Sequence, residues 1–212
     1  TLSGGALASG VTGAIALATN LADTAGTAGN DTINADGAGG TGNDDVAGDA
    51  MAVATSGTIS ATVANTATTG GFAGNDTIDV ANGNNRVSGD ATADGANALA
   101  DVTNEATGSG YAGNEAGNDT ITSGDGNDTV SGGALAAGTS ALATLWNKAV
   151  AMFGSQASAG NDSITVGDGA DTAAGDALAS GTAAAASVHN VASASRHSGA
   201  HAGHHTTRSA PR

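Results

Sequence analysis

The sequence predicts an all-β chain wound as a parallel β-solenoid, a β-roll or β-helix of imperfect repeats. Three observations predict it. The chain repeats: Ala-Gly-Asn-Asp-Thr/Ser-Ile stands at Ala28–Ile33, Ala73–Ile78, Ala116–Ile121 and Ala159–Ile164, so that Gly29, Gly74, Gly117 and Gly160 are spaced 45, 43 and 43 residues apart. Such a period marks stacked units that bury their faces only against their neighbours. Apolar residues come in short Thr-Ile, Thr-Val and Arg-Val pairs bounded by Gly, Asn and Asp, which is strand chemistry between turns. An ordinary core is missing: 35 of 212 residues are Gly, and the aromatics number two Phe, one Tyr and one Trp. Most of the apolar fraction is alanine, whose methyl is worth about 0.8 kcal/mol on burial against about 1.5–3 for Leu or Phe. A thin interior must therefore be helped by something else to offset the backbone entropy of so many glycines.

Taken in order, the chain opens on a partial copy at Gly4-Gly5-Ala6, and full copies start near residues 28, 73, 116 and 159. Each copy runs through a second, similar unit into Gly48-Asp49-Ala50, Gly89-Asp90-Ala91, Gly132-Gly133-Ala134 or Gly175-Asp176-Ala177. The remainder of each period is an Ala/Ser/Thr/Gly stretch with a recurring Asn (Asn20, Asn65, Asn104, Asn147, Asn190), either a buried amide ladder or a repeated turn or cap residue. Between Met51 and Val63 the larger residues fall on odd positions, a strand with one slightly larger face. Leu142, Leu145, Trp146, Ala149 and Phe153 follow helical spacing between a capping Ser140 and a stop at Gly154, predicting a short helix over about 140–153. The solenoid is expected to occupy 1–186. The basic segment 187–212, with His189, His197, His201, His204 and His205, reads as a disordered, flexible tail, the alternative being a helix that aligns His197, His201 and His204 for zinc, copper or nickel.

Charge narrows the function. The chain carries a net −15, and all twenty acidic residues lie between Asp23 and Asp176, opposed there only by Arg86 and Lys148. Such a body repels nucleic acid and anionic membranes and attracts multivalent cations. There is no cysteine to staple the fold, and no apolar run approaches the ~18 residues of a membrane span. No Gly-x-Ser-x-Gly, His-Glu-x-x-His or phosphate-binding loop occurs, so the chain is expected not to be an enzyme.

The unit Ser123-Gly124-Asp125-Gly126-Asn127-Asp128-Thr129-Val130-Ser131 follows Asp119 so that Asp119 and Asp128 lie nine apart, as do Asp162 and Asp171. Calcium is a hard cation that takes six to eight oxygens from carboxylates and backbone carbonyls, and glycine lets a turn aim its carbonyls at one spot. Aspartates stacked at the ~4.8 Å strand spacing repel by roughly 0.9 kcal/mol per pair even in bulk water, a term that bound cations reverse. The units resemble the RTX, or haemolysin-type calcium-binding, nonapeptide. The resemblance implies Ca2+ held by Asp31, Asp44, Asp76, Asp119, Asp128, Asp162 and Asp171, with backbone carbonyls near Gly29, Gly42, Gly74, Gly117, Gly126, Gly160 and Gly169. The chain departs from the pattern in two places. Asn85 replaces the second Asp of copy two, and four extra residues near Ala35–Ala38 set Asp31 and Asp44 thirteen apart, which should bulge or break that site. Only two units precede each Ala-rich stretch, leaving open whether a period is one large coil or a short coil plus a long one.

The expected function is a secreted structural repeat protein at the cell surface, exported by type I secretion. It would assemble with itself into a layer, filament or matrix, with a cell-surface polysaccharide as a further candidate partner. The alternatives are an adhesin stalk or ice-binding module, and the calcium-driven folding module of a larger secreted enzyme or toxin.

Overall fold

Turn chemistry at Gly-Asn-Asp and β-branched residues after it divide every period into the same short strands. The computed structural model describes residues 1–22, 26–35, 42–68, 71–108, 113–152, 156–194 and 199–209. The first coil holds β1 (Leu2–Ser3) and β2 (Ala6–Ala22); the second holds β3 (Thr27–Ala28), β4 (Thr32–Asn34), β5 (Asp45–Ala47) and β6 (Ala50–Ala67). The third holds β7 (Phe72–Ala73), β8 (Thr77–Val80), β9 (Arg86–Ser88), β10 (Ala91–Asp94) and β11 (Asn97–Gly108). The fourth repeats this as β12 (Asn114–Ala116), β13 (Thr120–Ser123), β14 (Thr129–Ser131), β15 (Ala134–Ala137) and β16 (Ser140–Ala151). The fifth follows as β17 (Ala157–Ala159), β18 (Ser163–Val166), β19 (Thr172–Ala174), β20 (Ala177–Ser180) and β21 (Ala183–Ala194), and a sixth begins with β22 (Ala200–Ala202) and β23 (Thr206–Ser209).

Every ladder is parallel and joins residues one period apart: Ile121 pairs with Ile78 and Ile164, and Asn104 with Asn65 and Asn147. Each period is therefore one large coil, which settles the choice the sequence left open. Four sheets run along the stack, ordered β1-β5-β9-β14-β19, β22-β17-β12-β7-β3, β23-β18-β13-β8-β4, and the long face β20-β15-β10-β6-β11-β16-β21 with β2 on β6. In the second coil the long face is a single strand because four residues, 54–57, replace the two-residue corner Gly95-Ala96 of the third. The inward parity flips at this corner in the second coil as it does across Gly95-Ala96 in the third, where Ala91 and Ala93 give way to Ala98 and Ala100. Ala50, Ala52 and Ala54 share the alanine core with Ile59, Ala61 and Val63, so Met51 faces the other way from Ile59 instead of sharing one larger face with it.

The interior has an apolar part at each side and a polar centre. Ile78, Ile121 and Ile164 pack against Val46, Val87 and Val130 at the narrow end, while the long face contributes mainly alanine rungs. Between them runs the amide ladder: Asn20 Nδ2 donates to Asn65 Oδ1 at 2.9 Å, Asn65 to Asn104 at 2.9 Å, and Asn104 to Asn147 at 3.0 Å. Of the two readings of the recurring Asn, the structure has the ladder.

Two expectations are corrected. The segment 140–153 is not a helix but β16, laddered on both sides by β11 and β21. Its buried residues alternate (Ala141, Ala143, Leu145, Asn147, Ala149, Ala151), and Leu142 and Trp146 point out; Phe153 and Gly154 lie outside the described residues. Likewise, 187–212 is not a disordered tail over its described part. β21, β22 and β23 pair in register with the coil before, so the solenoid runs past residue 186. His201 and His204 accordingly do not share a helix face, and His197 lies outside the described residues.

Candidate metal centre: stacked carboxylates inside the coil

The turn amides cannot all find ladder partners, because the chain reverses there, and side-chain oxygens of adjacent coils accept from them instead. Asn30 Oδ1 accepts from the Asn75 amide of the next coil at 3.2 Å, and Asn75, Asn118 and Asn161 repeat this toward Asn118, Asn161 and His204. The following Asp bonds in the opposite direction. Asp76 Oδ1 accepts from the Asp31 amide at 2.6 Å, Asp119 Oδ1 from Asp76 at 2.7 Å, and Asp162 Oδ1 from Asp119 at 2.9 Å. Each Asn-Asp pair thus ties its turn to both neighbours.

Asp31, Asp76, Asp119 and Asp162 form one column in this way. Asp44, Asn85, Asp128 and Asp171 form a second, with Oδ1 atoms 3.0, 2.8 and 2.9 Å from the preceding amides. Asn85 keeps the structural bond while losing the charge, and its Nδ2 turns to the Ala81 carbonyl at 2.8 Å. The extra residues of the second coil fall largely on 36–41, outside the described residues, and Asp44 still stands in register with Asn85. The predicted glycines divide. Gly42, Gly126 and Gly169 lie in the second turn, where the carbonyl oxygen of Gly126 points along the stack at the α-carbon of Gly169. Gly29, Gly74, Gly117 and Gly160 adopt φ of 59–63° beside the amide ladder, where a Cβ would strike Asn65, Asn104, Asn147 or Asn190. Only glycine meets both demands cheaply.

A third set of carboxylates escaped the sequence reading. Asp49, Asp90 and Asp176, from the Gly-Asp-Ala strings, turn inward between the first column and the amide ladder. Asn65 Nδ2 donates to Asp49 at 2.7 Å, Asn104 Nδ2 to both oxygens of Asp90 at 3.2 Å, and Asn190 Nδ2 to Asp176 at 2.9 Å. The signal was present in the recurrence of Asp at one register position, but its partner, the Asn about 14–16 residues later, shows only once the coil is closed. The preceding glycines make room: a Cβ on Gly48, Gly89 or Gly132 would overlap the carboxylate of Asp76, Asp119 or Asp162.

The electrostatics follow from this crowding. Oδ2 of Asp76, Asp119 and Asp162 is buried without a hydrogen-bond partner. Burial first, and neighbouring carboxylates second, push Asp76, Asp90 and Asp119 well above the usual carboxylate range. Burial likewise raises Asp49 to about 7 and Asp162 to about 6. The two cations of the acidic body are spent elsewhere, Arg86 on Asp94 and Lys148 on Glu105. At the C-terminal end His205 takes the place of the next Asp, its Nε2 2.7 Å from Asp176 Oδ2 and its Nδ1 3.4 Å from Asp162 Oδ2. Unpartnered carboxylate oxygens, a glycine cradle and oxygen-only donors suit a hard divalent cation.

The fold and these columns define a parallel β-roll with a carboxylate-lined interior. Among protein families, the model of the RTX calcium-binding nonapeptide repeat (4 copies) matches residues 70–96, 115–135 and 156–177. These three stretches thus match RTX calcium-binding repeats, and Ca2+ is the ion that such repeats bind. The second coil's turn units, which contain the extra residues, lie outside the matched stretches. Comparison with curated proteins and with solved structures found no match.

Proposed function

We propose that this calcium-binding repeat protein is a secreted structural component that assembles with copies of itself at the cell surface, without a catalytic role of its own. The observation that carries the reading is an outward apolar row on β2. Ile15, Leu17 and Leu21 are 72, 63 and 67 % exposed, whereas their register partners on β6 are Ser60, Thr62 and Thr66. An apolar row where the neighbouring coil is polar marks an interaction surface, and a second copy of the chain is the occupant proposed.

In this reading calcium supplies positive charge between coils when bound. Asp31, Asp44, Asp76, Asp119, Asp128, Asp162 and Asp171 are the proposed carboxylate ligands, with carbonyls of the second turn at Gly42, Gly126 and Gly169. Folding would then be restricted to compartments with abundant calcium, and export precedes it. The test is static light scattering in saturating calcium on the wild type and on Ile15→Ser/Leu17→Thr/Leu21→Thr, which copies the polar row of β6. The wild type should grow in mass with concentration and the triple variant should not. A wild type that stays a single chain would sink self-assembly and favour a stalk or a folding module of a larger secreted protein.

A further inference from the structure

We propose that Asp49, Asp76 and Asp90 jointly hold one divalent cation inside the stack, at a site that joins the Asp of one nonapeptide turn to two aspartates outside the nonapeptide pattern. The inference rests on the calcium reading above and adds ligands that the nonapeptide pattern does not contain.

Asp49 and Asp90 come from successive coils at the same register, and Asp76 projects between them. One carboxylate oxygen from each lies within 4.8 Å of the other two, and all three residues are buried. Each carboxylate is already oriented. Asn20 and Asn65 hold Asp49 at 3.1 and 2.7 Å, Asn104 holds Asp90 at 3.2 Å, and the Asp31 amide holds Asp76 Oδ1 at 2.6 Å. The remaining oxygen, Asp76 Oδ2, is buried and has no partner. Three converging acids in an alanine-rich interior, with Arg86 and Lys148 engaged elsewhere, need either protons or a cation from outside the chain, and a cation keeps them ionised at neutral pH. Oxygen-only donors select a hard cation, and calcium is the one the repeats already bind.

The fourth coil supplies a natural control. Gly133 occupies the position of Asp49 and Asp90, and Leu145, in register with Val102, fills the space that the carboxylate would take. Asn147 Nδ2 is then left without the acceptor that Asn65 and Asn104 enjoy. Stacking itself therefore does not need the third-column Asp, and its presence in two successive coils calls for another reason.

Asp90→Gly/Val102→Leu transplants the Gly133–Leu145 arrangement into the third coil and should fold as the fourth does. Bound calcium per chain is counted by equilibrium dialysis and elemental analysis at saturating calcium, with circular dichroism to confirm the fold. The expected result is one ion fewer than in the wild type. Should the double variant not fold, Asp90→Asn, which keeps shape and removes charge, is counted in its place with the same expectation. An unchanged count in a wild type that binds calcium overturns the interior site alone. A wild type that binds none overturns both this site and the calcium reading beneath it.

Discussion

Two polar stacks run side by side through this solenoid, and they differ in what they need. In the amide ladder each Asn side chain carries both a donor and an acceptor, so Asn20, Asn65 and Asn104 each donate to the next Asn, and the chain of bonds ends on Asn147, whose Nδ2 has no partner. In the carboxylate column Asp31, Asp76, Asp119 and Asp162 only accept when ionised, and their spare oxygens meet other carboxylates. The ladder is neutral and largely satisfied within itself and by the inward aspartates; the column is charged and incomplete. The same repeat thus builds one element that holds in any aqueous solvent and one that holds only with added cations or protons.

The largest expected effect comes from closing the cradle that admits the column. In Gly89→Val the new side chain meets the Asp119 carboxylate and the Gly132 carbonyl. That coil should fail to stack, and the far-ultraviolet spectrum in saturating calcium should lose its cooperative thermal transition. A melt like that of the wild type would show that the column is looser than described.

Next in size is a pH effect on the metal-free chain. The folded-state values of Asp49, Asp76, Asp90, Asp119 and Asp162 are raised, to about 7 for Asp49 and about 6 for Asp162. Groups of this kind contribute stability that is fully present below the unfolded value near 4 and is lost as pH rises through the folded values. In chelator, acidification from about pH 8 to about pH 5 should therefore increase β structure, opposite to the usual behaviour of salt-bridged aspartates. A chelated chain that loses β structure over the same range would contradict the burial of the column.

A smaller effect belongs to the ladder. Asn104→Ala removes the bonds to Asn147 and Asp90 and takes from the Asn65 amide one of its two acceptors, leaving Asp49. It should cost about 2–3 kcal/mol, with the larger loss in calcium, because Asn104 also orients the Asp90 carboxylate of the interior site. An equal loss in calcium and in acid would show that Asn104 does not support the ion site.

Much of this was legible in the sequence. The period, the Thr-Ile strands and the register of Asp31, Asp76, Asp119 and Asp162 all follow from aligning the copies, since residues one period apart stack directly. What was hidden had several physical causes, and in β16 the contrast of large apolar inside and polar outside is weakened. In β16 small Ala141, Ala143 and Ala149 turn in while Leu142 and Trp146 turn out, so the larger residues traced a helical spacing and masked the alternation. Asp49 and Asp90 were missed because their partners lie across the coil, not along the nonapeptide. The segment after residue 186 was misjudged because its strands are stabilised by pairing with the preceding coil and little by their own composition.

The most direct test of the calcium-completed column is a calcium titration of the chelated protein at about pH 7.5, followed by far-ultraviolet circular dichroism. The account predicts a cooperative gain of β structure that saturates with calcium and reverses with chelator. A spectrum already β-rich in chelator and unmoved by calcium would contradict it.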